Sequence, residues 1–202
     1  MRRSIFTKGF FLAGILAGLF FSNIRAQDLE SALRLTKSEQ YDKAREMLQQ
    51  LIQKEPSNAK NFYYLGENFL LDYYADTISN SFSLATNTAK EAFQKGVNAN
   101  PNDPLNYIGL AKVAVYQGDD KTAAEMRTKA KSFLLPYKNL KKISPPAKDY
   151  AFALAKIAET YIKEKEVDTA SALPLIRQAV KIDSKNPEIY LIAGDIYILA
   201  ND

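Results

Sequence analysis

The chain has 202 residues, 47% of them hydrophobic and 25% charged, which is enough length and apolar content for a folded core. It contains no cysteine and no histidine, which excludes disulfide frameworks, Cys/His zinc sites, cysteine nucleophiles and histidine-based acid–base catalysis. The net charge of +4 arises in residues 1–26, which hold four of the 27 basic side chains and no acid. Without those four, 23 basic residues balance 23 acidic ones, so binding of nucleic acid through its phosphates has no electrostatic support.

The first 26 residues have the layout of a secretory signal peptide. Arg2 and Arg3 give a positive start, and residues 9–21 are an uninterrupted stretch of apolar residues and glycine. Cleavage is predicted after Ala26, a small residue before a polar segment. A transmembrane anchor is the alternative reading, but thirteen helical residues rise only about 20 Å against a hydrocarbon core of about 30 Å. We therefore expect an exported protein, either periplasmic, envelope-associated or extracellular.

After residue 27, apolar residues recur at helical spacing, and one helical segment is repeated along the chain. Each copy has an aromatic residue, a small residue four places later, and usually a second aromatic three places after that. Copies lie at 61–69, 106–114 and 189–197, with partial copies near residues 32 and 158. The small residues of the five copies are Ala32, Gly66, Ala111, Ala158 and Gly194.

A second motif, an alanine followed by apolar residues at helical spacing, comes after each of the first four copies. The alanines are Ala44, Ala89, Ala123 and Ala172. We interpret the two motifs as the two helices of an antiparallel pair. The small residues are needed because packed helices lie only about 8–10 Å apart where their ridges cross.

This recurring two-helix pattern resembles the repeat of the tetratricopeptide repeat (TPR) family, and the resemblance covers roughly residues 27–201. It implies an all-α fold, an α–α superhelix or solenoid of four full antiparallel helix pairs and one unpaired helix. The repeats are expected at roughly 27–56, 57–101, 102–136, 147–184 and, as a partial copy, 187–202. Two residues depart from the pattern, since Asp28 and Arg127 occupy positions where a bulky apolar side chain is expected.

Insertions between the repeats have their own sequence features. Residues 72–87 carry no basic side chain and are expected to extend the second pair into a protrusion. A linker that starts near Phe133 contains three lysines and ends at Pro146. Gly118 and the two aspartates after it predict a solvated turn rather than a metal site or a phosphate loop, because the upstream glycine and strand of such a loop are missing.

The candidate partner-binding residues lie on one face of the predicted first helices. In the second repeat, Tyr63, Glu67, Leu70 and Tyr74 follow one another at spacings of 4, 3 and 4, on a different face from Phe62. The TPR resemblance implies that this face lines a concave groove. The complete candidate set is Tyr63, Glu67, Leu70, Tyr74, Lys112, Val115, Tyr116 and Glu159. The alternative is that these side chains only pack on the neighbouring repeat.

Taken together, these features predict a non-catalytic scaffold that binds a peptide or partner helix in the groove and needs no cofactor. Two other functions stay open. Tyrosines 63 and 74 could stack on a carbohydrate or small ligand. The final segment, 187–202, is apolar on more than one face, so it could drive self-association or be covered by further repeats. An enzyme is the least favoured class, because no set of acid, base and nucleophile emerges.

Overall fold

The computed structural model describes residues 28–134 and 147–201, and within these ranges the chain is helical and contains no strand. The predicted signal peptide and the linker lysines lie outside the described residues. The helices are α1 (Leu29–Lys37), α2 (Tyr41–Lys54), α3 (Ala59–Ala75), α4 (Phe82–Ala99), α5 (Pro104–Gln117), α6 (Asp120–Ser132), α7 (Ala147–Ile162), α8 (Thr169–Ile182) and α9 (Pro187–Ala200). None of these helices is long and apolar enough to cross a membrane.

Polar capping residues set the helix starts. At most of the described starts, a side-chain oxygen accepts a hydrogen bond from a backbone N–H of the first turn, which otherwise has no partner. These caps are Asp28, Asn58, Ser81, Asp103, Asp119, Asp168 and Asn186. Gly118 ends α5 with a φ of 72°, a left-handed conformation that glycine adopts without strain. The predicted turn between α5 and α6 is therefore present.

The helices pack in consecutive pairs, α1 with α2, α3 with α4, α5 with α6 and α7 with α8. The first helix of each pair also contacts the first helix of the next, from α1 through α3, α5 and α7 to α9. We call the surface formed by these five helices the inner face. Four pairs and one unpaired helix were predicted, and the described residues confirm that all-α arrangement.

Small residues lie where the paired helices cross. Ala32, Ala111 and Ala158 are fully buried, and a Cβ atom on Gly66 would overlap the ring of Phe93 in α4. The same ring would overlap a Cβ atom on Gly109 of α5, so Phe93 fills the space between two first helices. The predicted close approach of the helices is confirmed at these positions.

Gly194 in α9 differs from the other repeat positions. It is only partly buried, and no atom lies within 4 Å of the place where its Cβ would stand. The reason is that none of the described helices covers that side of α9 as a second helix covers α3, α5 and α7.

The structure explains both departures from the repeat pattern. Asp28 caps α1, where its carboxylate accepts a hydrogen bond from the Ser31 N–H. Arg127 is buried, its guanidinium carbon lies 4.2 Å from the centre of the Tyr161 ring, and it pairs with Glu164. A flat guanidinium stacked on an aromatic ring thus fills the position expected to hold an aromatic or large aliphatic side chain.

The second pair is longer than the third. Helices α3 and α4 have 17 and 18 residues, against 14 and 13 in α5 and α6. The additional turns lie around residues 72–87, the segment expected to protrude. Ile78 and Leu84 at this end are 96% and 68% exposed.

Candidate partner-binding groove

All eight candidate residues come from α3, α5 and α7, and the structure brings them together on the inner face. Glu67 and Glu159 both lie within 4 Å of the Lys112 ammonium group. Tyr74 and Tyr116 are in edge-to-face contact, with ring centres 5.4 Å apart. Residues predicted from separate repeats therefore meet in two groups, the charged residues around Lys112 and the pair of Tyr74 and Tyr116.

A network of ion pairs occupies the centre of this face. Lys112 Nζ lies 2.8 Å from Glu67 Oε2 and 3.8 Å from Glu159 Oε1. Lys156 Nζ lies 2.6 Å from Glu159 Oε2, 3.7 Å from Glu67 Oε2 and 3.5 Å from Glu188 Oε1. The network thereby links three consecutive first helices and reaches the start of α9.

Two members of the network, Lys156 and Glu188, were not among the predicted site residues. Lys156 lies three residues before Glu159, a spacing that places both on one side of a helix, so this pair was detectable from the sequence. Glu188 carried no comparable signal, because its proximity depends on how α9 packs against α7.

The pKa shifts of Glu159 and Lys156 favour the ionised form of both side chains near neutral pH. Burial alone would raise the pKa of Glu159, but the ammonium groups of Lys112 and Lys156 outweigh it and lower the pKa to about 2. Burial alone would lower the pKa of Lys156, but the carboxylates of Glu159, Glu67 and Glu188 outweigh burial and hold the pKa well above its usual value. Burial and the Glu67 carboxylate raise the pKa of Tyr63, so this phenol stays neutral.

The floor of the inner face is filled by its own side chains, which corrects the expectation of an open ligand platform there. Tyr63, Leu70 and Val115 are 1%, 2% and 8% exposed, and Glu67 and Lys112 are equally enclosed. They pack on the neighbouring repeats because successive first helices lie in direct contact. Of the eight residues, Tyr74 is exposed, and Tyr116 and Glu159 are partly exposed.

The buried position of Tyr63 also bears on the carbohydrate alternative. Its ring contacts the Phe93 and Tyr64 rings, with centres 5.9 and 5.1 Å away. A sugar therefore cannot stack on Tyr63 in this conformation, which leaves Tyr74 as the accessible member of the pair.

A cavity of about 410 Å³ opens on the inner face between α1, α3 and α9. Its walls are mainly apolar, and Glu67 of the ion-pair network lies among the lining residues. The lining residues are Leu33, Thr36, Lys37, Tyr63, Tyr64, Glu67, Leu71, Pro187, Glu188 and Leu191. We call this the α1/α3/α9 cavity.

Sequence reasoning identified the α3 side of this cavity but missed the α1 and α9 sides. The curvature of the array brings the end of α1 close to the start of α9, although the two lie at opposite ends of the described chain. The same curvature places Lys60 Nζ of α3 at 2.7 Å from Asp149 Oδ2 of α7. No local pattern signals such proximity, because it is the sum of small rotations between repeats.

Comparison with known proteins identifies the fold. No family model matches the sequence, and no curated protein does. Among solved structures, the crystal structure of TTC0263, a thermophilic TPR protein of Thermus thermophilus, matches with a TM-score of 0.60 at 15% identity. The match covers 85% of this chain and 82% of that one. The chain has a tetratricopeptide-type fold. The Cut9–Hcn1 heterotetramer of the APC/C also matches, with a TM-score of 0.43 at 16% identity, over 86% of this chain and 36% of that one.

In a solenoid of this type the stacked first helices form a concave surface. For this TPR-type chain, the inner face is that surface, and its floor is the ion-pair network. Its accessible parts include the α1/α3/α9 cavity and Tyr74 and Tyr116. Leu71 connects the two, since it lines the cavity and lies three residues before Tyr74 on α3. Within residues 28–134 and 147–201, no cluster of acidic side chains could hold a metal ion.

Proposed function

We propose that this TPR-type chain is a non-catalytic scaffold that binds a protein partner, as a peptide or a helix, on the open part of its concave face. The observation that carries the proposal is the α1/α3/α9 cavity, an apolar recess of about 410 Å³. That volume falls in the range of about 300–1,000 Å³ typical of ligand sites.

The exposed apolar side chains around the cavity support a macromolecular partner. Leu71 and Leu191 are 41% and 72% exposed on opposite walls, and Tyr74 is 49% exposed beyond them. Burying a leucine side chain stabilises a complex by about 1.5–3 kcal/mol relative to leaving it in water. A helix or extended peptide that crosses from the cavity to Tyr74 would cover all three.

The proposed binding surface can be mapped with a photo-crosslinking amino acid. Placed at Leu191 and, separately, at Tyr74, the crosslinker is expected to capture the same partner protein. Gln50, exposed on α2 and therefore on a second helix of the array, is the matched control position. Equal capture of that partner at Gln50, or capture of different proteins at positions 191 and 74, would contradict a common concave site.

The proposal includes export, which the N-terminal sequence favours. The expected outcome is that residues 1–26 direct a fused alkaline phosphatase to an oxidising compartment, where that enzyme becomes active. Mass spectrometry of the purified protein should find Gln27 at the N-terminus. An intact Met1 on the mature protein would overturn the cleavage site.

Self-association through α9 is a second candidate, favoured by its exposed apolar side chains. Leu191, Ile198 and Leu199 are 72%, 77% and 47% exposed. If two chains pair here, sedimentation velocity should show a concentration-dependent dimer that Ile198→Glu dissociates. A monomer at all concentrations would eliminate this candidate and leave the concave site unaffected.

A further inference from the structure

Building on the proposed function, we infer that the α1/α3/α9 cavity receives a lysine or arginine side chain of the partner. The occupant has two parts, an aliphatic stem that lies between the leucines and a cationic end that meets the Glu67 and Glu188 carboxylates. Three features of the cavity carry this assignment.

The first feature is a carboxylate oxygen with unused hydrogen-bonding capacity. Glu67 is 8% exposed, and the contacts of both Lys112 and Lys156 are made to its Oε2 atom. Its Oε1 atom is buried and has no hydrogen-bond partner among the described residues. The hydroxyl of Tyr63, which also lines the cavity, is likewise buried without a hydrogen-bond partner among the described residues. Buried polar atoms without partners are uncommon because each costs about 1–3 kcal/mol. The Glu67 Oε1 atom has almost no accessible surface, so a ligand donor can satisfy it once the carboxylate turns towards the cavity.

The second feature is the placement of charge. The cavity is lined by two carboxylates, Glu67 and Glu188, and one ammonium group, that of Lys37. Lys37 is exposed at the last turn of α1, where its side chain reaches solvent. Counted together with the network behind the wall, the charges balance at three carboxylates and three ammonium groups. A cation is favoured over an anionic group because the Glu67 and Glu188 carboxylates line the cavity, whereas the Lys112 and Lys156 ammonium groups do not.

The third feature is the chemistry of the walls. Leu33, Leu71 and Leu191 lie around the opening, together with the Tyr64 ring. Lysine and arginine bury their methylene stems against such apolar surfaces while the charged end reaches a polar partner. An acidic or purely aliphatic side chain would satisfy only one of these two environments.

Small probes that mimic side-chain ends can test the assignment on the purified protein. We expect n-butylguanidinium and n-butylammonium to shift the methyl NMR signals of Leu33, Leu71 and Leu191, with dissociation constants in the millimolar range that is common for fragments. Pentanoate (anionic) and n-pentanol (neutral) are matched in size and should bind at least about threefold more weakly, because neither can pair with the carboxylates that line the cavity. Equal or tighter binding of pentanoate or pentanol, or no shift with any probe, would overturn the inference.

Substitutions can distinguish the contribution of charge to probe binding from the contribution of the cavity's shape. Glu188→Gln, at a residue with 41% side-chain exposure, should weaken n-butylguanidinium binding about threefold or more and leave n-pentanol binding unchanged. Glu67→Gln should weaken n-butylguanidinium binding more than Glu188→Gln does. If Glu67→Gln is unstable, Glu188→Gln alone still tests the assignment. Glu125→Gln, at an exposed position on α6, is the control that removes a carboxylate far from the cavity. Losses as large in Glu125→Gln as in Glu188→Gln would refute a local charge effect.

The cross-linked partner distinguishes this inference from the proposed function. The peptide captured at position 191 should contain a lysine or arginine whose replacement by norleucine abolishes capture. If capture survives that replacement, the scaffold function stands and the assignment of a cationic side chain is wrong. If no common partner is captured at positions 191 and 74, the proposed function itself fails.

Discussion

Lys112 Nζ of α5 lies 2.8 Å from Glu67 Oε2 of α3, and the two side chains are only 8% and 10% exposed. The pair connects two successive repeats below the concave surface. A buried charge depends on its partners, and removing Lys112 leaves Glu67 with only the longer contact of 3.7 Å to Lys156. The same pair therefore contributes to the contact between the two repeats and fixes the Glu67 carboxylate beside the cavity.

Lys112→Met should lower the free energy of unfolding by up to about 3–5 kcal/mol, the effect of breaking a buried ion pair, because Lys156 only partly replaces Lys112 beside Glu67. Urea denaturation followed by circular dichroism measures this change. The control is Arg34→Met, which breaks an exposed pair with Glu30 and should cost about 1 kcal/mol or less. If the two variants lose similar stability, the network contributes no more than a surface ion pair.

Gly66→Ala should destabilise the protein by about 1–3 kcal/mol, because the added methyl group overlaps the Phe93 ring. Gly194→Ala is the matched control, since its Cβ would meet no atom within 4 Å. That substitution should stabilise α9 by about 0.5–1 kcal/mol through helix propensity. Thermal unfolding of both variants gives the comparison. In the double variant Gly66→Ala/Phe93→Leu, the losses of stability of the two single variants should not add, because the two residues are in contact. If the losses simply add, the overlap between a methyl group at position 66 and the ring at position 93 is wrong.

Glu159 should make stability depend on pH in the acid range. Its pKa of about 2 in the folded protein lies below the ordinary value of 4.5, so the folded state favours the ionised form. This contribution is complete above about pH 4.5 and is lost as the pH falls towards 2. The stability difference between wild type and Glu159→Gln, measured by urea denaturation at several pH values, should therefore shrink over that interval. A difference that stays constant from pH 7 to pH 3 and below would contradict the shifted pKa.

Arg127→Leu restores the apolar residue type expected from the repeat pattern, yet it should destabilise the protein. Glu164, whose side chain is 16% exposed, would lose its cationic partner, and the stacking on Tyr161 would be lost. The expected cost is about 1–3 kcal/mol in chemical denaturation. Arg127→Leu/Glu164→Gln should recover much of it, because no unpaired carboxylate remains. If Arg127→Leu alone is as stable as wild type, the guanidinium contributes packing volume but no net stabilisation from its charge.

The repeated spacing of aromatic and small residues determined the fold class, the pairing of helices and the positions of their closest approach. Ala32, Gly66, Ala111 and Ala158 could be placed at helix contacts because a two-helix repeat has the same local geometry in every copy. The residues of the inner face could be grouped for the same reason, since positions 63, 67, 70 and 74 share one side of a helix.

Only the tertiary structure decided which of those residues remain accessible and what completes the site. Tyr63 and Leu70 are enclosed, Lys156 and Glu188 join the charges, and Leu33 and Leu191 form cavity walls from opposite ends of the array. Helical periodicity tells which way a side chain points, but it does not contain the small rotation from one repeat to the next. That rotation, accumulated over four pairs, brings α1 beside α9 and creates the cavity.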